Sequence, residues 1–261
     1  MTSKRRLNGW LTVVVAVATA WQVRATETEN LDLRVLPAQK PMVVDGKFDD
    51  WDLSSGVLTC GDVELQRDQF AIWFHLAYDA ERFYVLARWR DETPLNNPKS
   101  VKGDNGFEGD CLQFRIILNE SNEERRLPSH WTCWQDRDGL KGMDVHYGYF
   151  GRALKTGKPP EGVTGLKNAI DKGAQMAFVA DADGPSTGSG GAKGYVQEIA
   201  IPWKLLTSDG TPAPKVGERV GFTVEPNYSI GLGGRVAIPA RKSGAWRWAL
   251  IGISPPWSGF P

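Results

Sequence analysis

The side chains with the most chemical reach fall into a few small groups. Met143 and His146 share the segment GMDVHYGYF, and His75 and His130 lie among aromatics. Asp45, Asp49, Asp50 and Asp52 crowd one turn. Glu108 with Asp110, and Asp136 with Asp138, form carboxylate pairs two residues apart. Arg88, Arg90, Gln113 and Arg115 alternate with apolar residues. Non-covalent haem b takes axial Met, His or Lys ligands in an apolar slot, which makes Met143 and His146 its candidates. The aspartates offer hard oxygen ligands for a structural calcium ion, with Asp45 and Asp49 first. The carboxylate pairs face one side of a strand, but charged residues are exposed by default, so they read as surface acids.

Arginines and amides beside aromatic rings suit a different task. A sugar ring has an apolar face of C–H groups and a rim of hydroxyls. Flat aromatic side chains cover the face, and Arg, Asn, Gln and Asp satisfy the rim. The same alternation also describes a sheet that is simply wet on one side. No G-x-S-x-G nucleophile elbow, P-loop or Rossmann glycine pattern occurs in the sequence, and the chain reads as non-catalytic.

Strands must position these groups. The strongest strand–turn–strand signal runs from Phe70 to Asp91, with a polar break at Asp79–Arg82. By the period of two, Phe83, Val85, Ala87 and Trp89 share one face. Tyr84, Leu86, Arg88 and Arg90 share the other, which is expected to be presented as a binding surface. Asp110–Leu118 alternates again, with Gln113 and Arg115 away from the apolar side. If these strands are neighbours, their arginines and Gln113 form one polar patch.

Leu33–Val44 reads as an edge strand broken by Pro37 and Pro41, and Ser121–Gly173 is the least regular stretch. Trp203–Leu206 fits a single helical turn, and Trp246–Ile253 the last strand. No long amphipathic helix is evident. Many short strands with Gly and Pro turns predict an all-β sandwich, immunoglobulin-like or jelly-roll, in one domain over residues 30–261.

Bulk composition narrows the partners. The 261 residues carry 31 basic and 31 acidic side chains, and this balance argues against a nucleic-acid binder. Eleven tryptophans exceed what a core of this size needs, so a few are available to a ligand. Lys4–Arg6, the apolar run Leu11–Trp21 and the small-x-small pattern Val23–Ala25 form a signal peptide over residues 1–25. Its apolar run is short for a membrane span, so the mature chain is expected in the periplasm or outside the cell, without a transmembrane span. Export permits a disulfide, yet Cys60, Cys111 and Cys133 are odd in number, and no C-x-x-C or C-x-x-C-H occurs.

Five blocks then occur in order: VDGKFDDWD (Val44–Asp52), YDAERFYVLARWRDETP (Tyr78–Pro94), GDCLQFRI (Gly109–Ile116), GYVQEIAIPWKLL (Gly194–Leu206) and VGFTVEPN (Val220–Asn227). Together the set resembles the family 9 carbohydrate-binding modules of the DOMON-like group. That group also holds haem-b domains similar to the ethylbenzene dehydrogenase gamma subunit. The resemblance implies a β-sandwich that grips sugar between aromatic side chains, with Phe107 and Trp246 as the stacking pair and Trp248 as the next choice. It places Asp110, Gln113 and Asn227 among the polar contacts, to which Arg90 and Arg115 are added from the strand pattern. Phe107 stands where sugar-binding members often carry Trp, and Gln113 where they carry a carboxylate. Three readings remain: a carbohydrate-binding protein without a cofactor or with structural calcium, a haem-b electron-transfer domain, and a partner-binding surface module.

Overall fold

Period-two alternation decides the architecture. The computed structural model describes residues 34–60, 63–67, 69–91, 93–103, 105–119, 122, 124–148, 157–163, 168–181, 194–208, 211–229, 235–237 and 249–253. In chain order the strands are β1 (Arg34–Pro37), β2 (Val57–Cys60), β3 (Phe70–Tyr78), β4 (Arg82–Asp91), β5 (Cys111–Leu118) and β6 (Leu127–Gln135). There follow β7 (Lys141–Tyr147), β8 (Gln175–Asp181), β9 (Gly194–Pro202), β10 (Arg219–Ser229), β11 (Arg235–Ala237) and β12 (Ala249–Ile253). Among the described residues helix is confined to α1 (Val63–Gln66), α2 (Asn168–Asp171) and single 3-10 turns, one of them the expected turn at Trp203–Leu205.

The strands hydrogen-bond along one path, β7-β6-β5-β10-β12-β1-β3-β4-β9-β8, with β2 added to β3 and β11 to β10. The path doubles back into two packed layers. Phe74 and Phe83 of one layer meet Phe222 of the other at ring-centroid distances of 6.1 and 6.2 Å, and Trp89 meets Tyr228 at 5.1 Å. This is the expected all-β sandwich. Strand β1 is not the expected edge strand. It lies between β12 and β3, parallel to both, because Pro37 falls at its end and interrupts no ladder.

The core follows the sequence pattern. Phe83, Val85, Ala87 and Trp89 point inward and are fully buried, as are Leu112, Phe114, Ile116 and Leu118 from β5. Burial of one such large apolar side chain contributes about 1.5–3 kcal/mol, so this alternating register is strongly specified.

The other face of β4 differs from expectation. Met42, Val44, Phe48 and Trp51 pack over Tyr84, Leu86, Val196 and Ala200, so residues 42–51 form a strap across that side of the layer. Glu198 of β9 anchors the strap, accepting the Asp45 and Gly46 N–H groups and Trp51 Nε1–H, each at 3.0 Å. Gly46 holds φ +82°, and a Cβ there would come within 2.5 Å of Val179. Arg88 caps the Phe48 ring at 4.2 Å from its centroid and lies 3.6 Å from Asp181. Burial and the charge of Arg88 push His75, beneath the same segment, down to about 4, so it is neutral. The face of Tyr84, Leu86 and Arg88 is therefore covered rather than presented. The strap's own apolar residues seal it.

Residues 127–147, within the stretch expected to be least regular, form the β6–β7 hairpin. Its turn is pinned by Asp136, whose Oδ1 accepts the N–H groups of Asp138 and Leu140 at 3.0 and 2.8 Å.

Candidate functional site

The outward face of the β10-β5-β6-β7 layer is polar where the opposite layer is strapped. Strand register sets its rows. Glu225 pairs with Gln113, Gln113 with Thr132, and Thr132 with Asp144. One step along, Thr223 pairs with Arg115, Arg115 with His130, and His130 with His146. Asn227 lies opposite Cys111 in the row before.

Side-chain hydrogen bonds centred on Gln113 wire these rows together. Asn227 Nδ2 donates to Gln113 Oε1 at 3.1 Å, and Gln113 Nε2 lies 3.1 Å from both Thr132 Oγ1 and His130 Nε2. Gln113, Thr132, Thr223 and Asn227 are all buried, with Asn227 fully so. Burial, Arg115 and His146 together lower His130 to about 3, so it is a neutral hydrogen-bonding ring. Arg115 meets Glu225 at 3.4 Å, and His146 Nε2 meets Asp144 Oδ2 at 2.9 Å. The face thus mixes donors and acceptors with few uncompensated charges, as recognition of hydroxyls requires.

One end of the face is walled by aromatics. Trp134 is fully buried against Val101 and Cys111, and half-buried Phe107 and Leu140 pack on that cluster. Glycine makes room for the Trp134 ring on two sides: a Cβ at Gly142 would lie 2.6 Å from it, and one at Gly106 would clash outright. Trp134 Nε1 donates to the Lys99 carbonyl at 3.3 Å, tying residues 99–107 to the sheet. Phe107 therefore packs on the cluster that contains Cys111, the residue opposite Asn227, at the end of the polar rows.

Asp110 anchors the same loop from below. Its carboxyl accepts the N–H groups of Asn96 and Ser229, each at 2.6 Å, and lies against the carboxyl of Asp91. Burial first, and the neighbouring Asp91 charge second, push Asp110 up to about 8. Asp110 is a buried organiser of the loop and not an exposed sugar contact.

The sequence-based site is thus brought together in part. Phe107, Gln113, Arg115 and Asn227 share one region. Arg90 does not join them: it belongs to the opposite layer, is only 1% exposed, and is separated from β5 along the sheet by β10, β12, β1 and β3. The expected patch uniting Arg90 with Gln113 and Arg115 does not form, because sequence neighbours across the 92–110 loop enter different layers. Trp246 and Trp248 lie outside the described residues, as do residues 1–25, where a signal peptide is expected.

The metal and haem candidates are occupied otherwise. Asp45 caps Lys47 N–H at 2.9 Å and pairs with its ammonium at 3.1 Å. Asp49 is exposed and contributes its carbonyl to Lys40, while Asp50 accepts Val43 N–H and Asp52 accepts Ser54 N–H. Among the described residues no group of three or more His, Cys, Asp or Glu could hold a metal ion, so Asp45 and Asp49 do not fit a calcium site. Met143 is fully buried in the main core, whereas His146 projects from the opposite face of β7, so the two cannot converge on one haem iron. The three cysteines are buried and form no disulfide. Of the carboxylate pairs, Glu108 binds Lys99 at 2.6 Å, away from buried Asp110, and Asp136 holds its turn.

Sequence reasoning missed Thr132 and Asp144, and valued His130 only as a haem neighbour. The available signal was the alternation Leu127, Ser129, Trp131, Cys133 and Met143, Val145, Tyr147 around Asp-Arg-Asp-Gly, a hairpin pattern.

No family model matches the chain, and no curated protein matches it. Solved structures do share the fold. A family 9 carbohydrate-binding module from Caldicellulosiruptor kristjanssonii in complex with cellotriose superimposes with TM-score 0.53 at 17% identity, covering 87% of this chain and 97% of that one. A complex described as a family 9 module from the same organism with glucose gives TM-score 0.51 at 16% identity, covering 87% and 98%. A candidate carbohydrate-binding protein from Bacteroides uniformis gives 0.51 at 10% identity, covering 85% and 99%. The chain has the fold of these carbohydrate-binding modules.

Proposed function

We propose that this chain is an exported, non-catalytic carbohydrate-binding module whose ligand lies on the outward face of the β10-β5-β6-β7 layer. The observation that carries the reading is the buried network Asn227–Gln113–Thr132–His130, whose Asn227 end lies opposite Cys111, in the cluster on which half-buried Phe107 packs. Phe107 offers an apolar plate for a sugar face, while Gln113, Arg115 and Glu225 offer the mixed donors and acceptors that hydroxyls need, with buried Asn227 holding Gln113 in place. The shared fold with modules seen with cellotriose and glucose adds to this reading without fixing the sugar.

The test is calorimetric titration of the mature chain with cellotriose and a panel of neutral oligosaccharides. Saturable binding that Gln113→Ala weakens supports the reading. A well-folded protein that binds no member of the panel sinks it.

A further inference from the structure

Phe107 is carried by a loop and not by a strand. It sits on a single 3-10 turn, Gly106–Glu108, in the approach to β5. Asn105 stands at the N-cap of that turn, and its side chain makes no capping hydrogen bond. An uncapped turn does not by itself fix the direction of the ring it carries, and a plate that must be ordered on binding costs affinity.

Asn97 supplies what the cap does not. Its side chain is fully buried under the turn. Nδ2 donates to the Gly106 carbonyl at 2.6 Å and to the Asp110 carbonyl at 3.0 Å. Oδ1 accepts the Lys99 N–H at 2.9 Å. Both amide hydrogens and the amide oxygen are thus engaged. A flipped amide would turn its oxygen on two carbonyls, so one orientation is fixed. Pro98, next in the chain, narrows the backbone conformations open to Asn97. Gly109 leaves the space: a Cβ there would lie 2.7 Å from Asn97 Cγ and 2.8 Å from its Cα. One buried amide therefore clamps the chain on both sides of Phe107, before it at Gly106 and after it at Asp110.

We infer that Asn97 is a positioning residue for the ligand: it holds Phe107 in the orientation in which the ring meets a sugar face, and sets affinity without touching the sugar. The inference rests on the proposed carbohydrate-binding face and names a residue that prepares it. The task is specific to an amide of this length. Asp at the same place keeps the acceptor for Lys99 N–H but faces two carbonyls without their donors, and Ser offers a single hydroxyl hydrogen. A plate fixed before the ligand arrives leaves less ordering to be done on binding.

The experiment is a double-mutant cycle on the mature chain, with cellotriose affinity measured by calorimetry. Asn97→Asp is expected to weaken binding about tenfold, and Phe107→Ala at least as much. The double variant should bind within about twofold of Phe107→Ala alone, because Asn97 acts through the ring that is already gone. A residue that only stabilises the fold would instead give losses that multiply. Near-ultraviolet circular dichroism checks that each variant is folded. Should Asn97→Asp fail to fold, Asn97→Ser, which buries no charge, takes its place in the cycle with the same expectation. Native affinity in the folded Asn97 variant, or losses that multiply in the double variant, overturns the inference and leaves the carbohydrate reading standing. A wild-type chain that does not bind cellotriose also overturns the inference, and the wider neutral panel then decides the carbohydrate reading separately.

Discussion

Asn227 Nδ2 on β10 donates to Gln113 Oε1 on β5 at 3.1 Å, and Gln113 passes the chain on to Thr132 across β6. Three strands are thereby joined by side chains on the face opposite the core. Gln113→Leu removes the middle member and strands a buried amide and a hydroxyl. The expected cost is about 1–3 kcal/mol of stability, read from urea unfolding. Carbohydrate affinity should fall about tenfold or more in the same variant by calorimetry. A variant with native affinity would mean that the network is structural only.

The Asp91–Asp110 contact predicts a pH dependence of stability. Asp110 rises from an ordinary 3.8 to about 8 in the folded protein, through burial and then through Asp91. The folded state keeps a proton that the unfolded chain releases near 3.8, so this contribution is fully present below that value. It is lost progressively as pH rises towards about 8. Urea midpoints measured between these limits should decline with pH, and Asp110→Asn should flatten the decline. Asn keeps only one of the two oxygens that accept the Asn96 and Ser229 N–H groups, so the variant is also expected to be less stable at low pH.

Glu198 tests the strap separately from the site. Glu198→Ala leaves the Asp45 and Gly46 N–H groups and Trp51 Nε1–H without their shared acceptor. A loss of about 2–4 kcal/mol is expected from thermal or urea unfolding. Because the strap covers the opposite layer, carbohydrate affinity of the folded variant should be unchanged. A parallel loss of affinity would tie the strap to the binding face.

Gly142→Ala places a methyl group 2.6 Å from the Trp134 ring, which is fully buried. Overpacking there should cost about 1–3 kcal/mol and shift the tryptophan emission. Since Trp134 also holds the loop that presents Phe107, weaker carbohydrate binding should accompany the shift.

The sequence disclosed the strands whose alternation is clean. Phe83, Val85, Ala87 and Trp89 are inward, and Gln113 and Arg115 are outward, as their spacing requires. Alternation identifies two faces of a strand but says nothing about what covers each. The aromatic–arginine face of β4 therefore looked like a surface, although the strap from Met42 to Trp51 lies over it. Layer assignment is equally non-local: Arg90 and Gln113 are close in sequence yet enter opposite layers. The β6–β7 hairpin was obscured because His130, Thr132, Gly142 and Asp144 dilute its apolar period. Those same polar residues build the candidate face, so the stretch that carries the site is the one whose pattern was weakest.

The most direct test of that face is a titration of isotope-labelled protein with the tightest-binding oligosaccharide of the panel, followed by amide chemical-shift mapping. The account predicts that the side-chain amide signals of Gln113 and Asn227 move, together with backbone signals of Thr132 and Asp144. Shifts confined to the strap around Asp45–Trp51, with Gln113 and Asn227 unmoved, would contradict it.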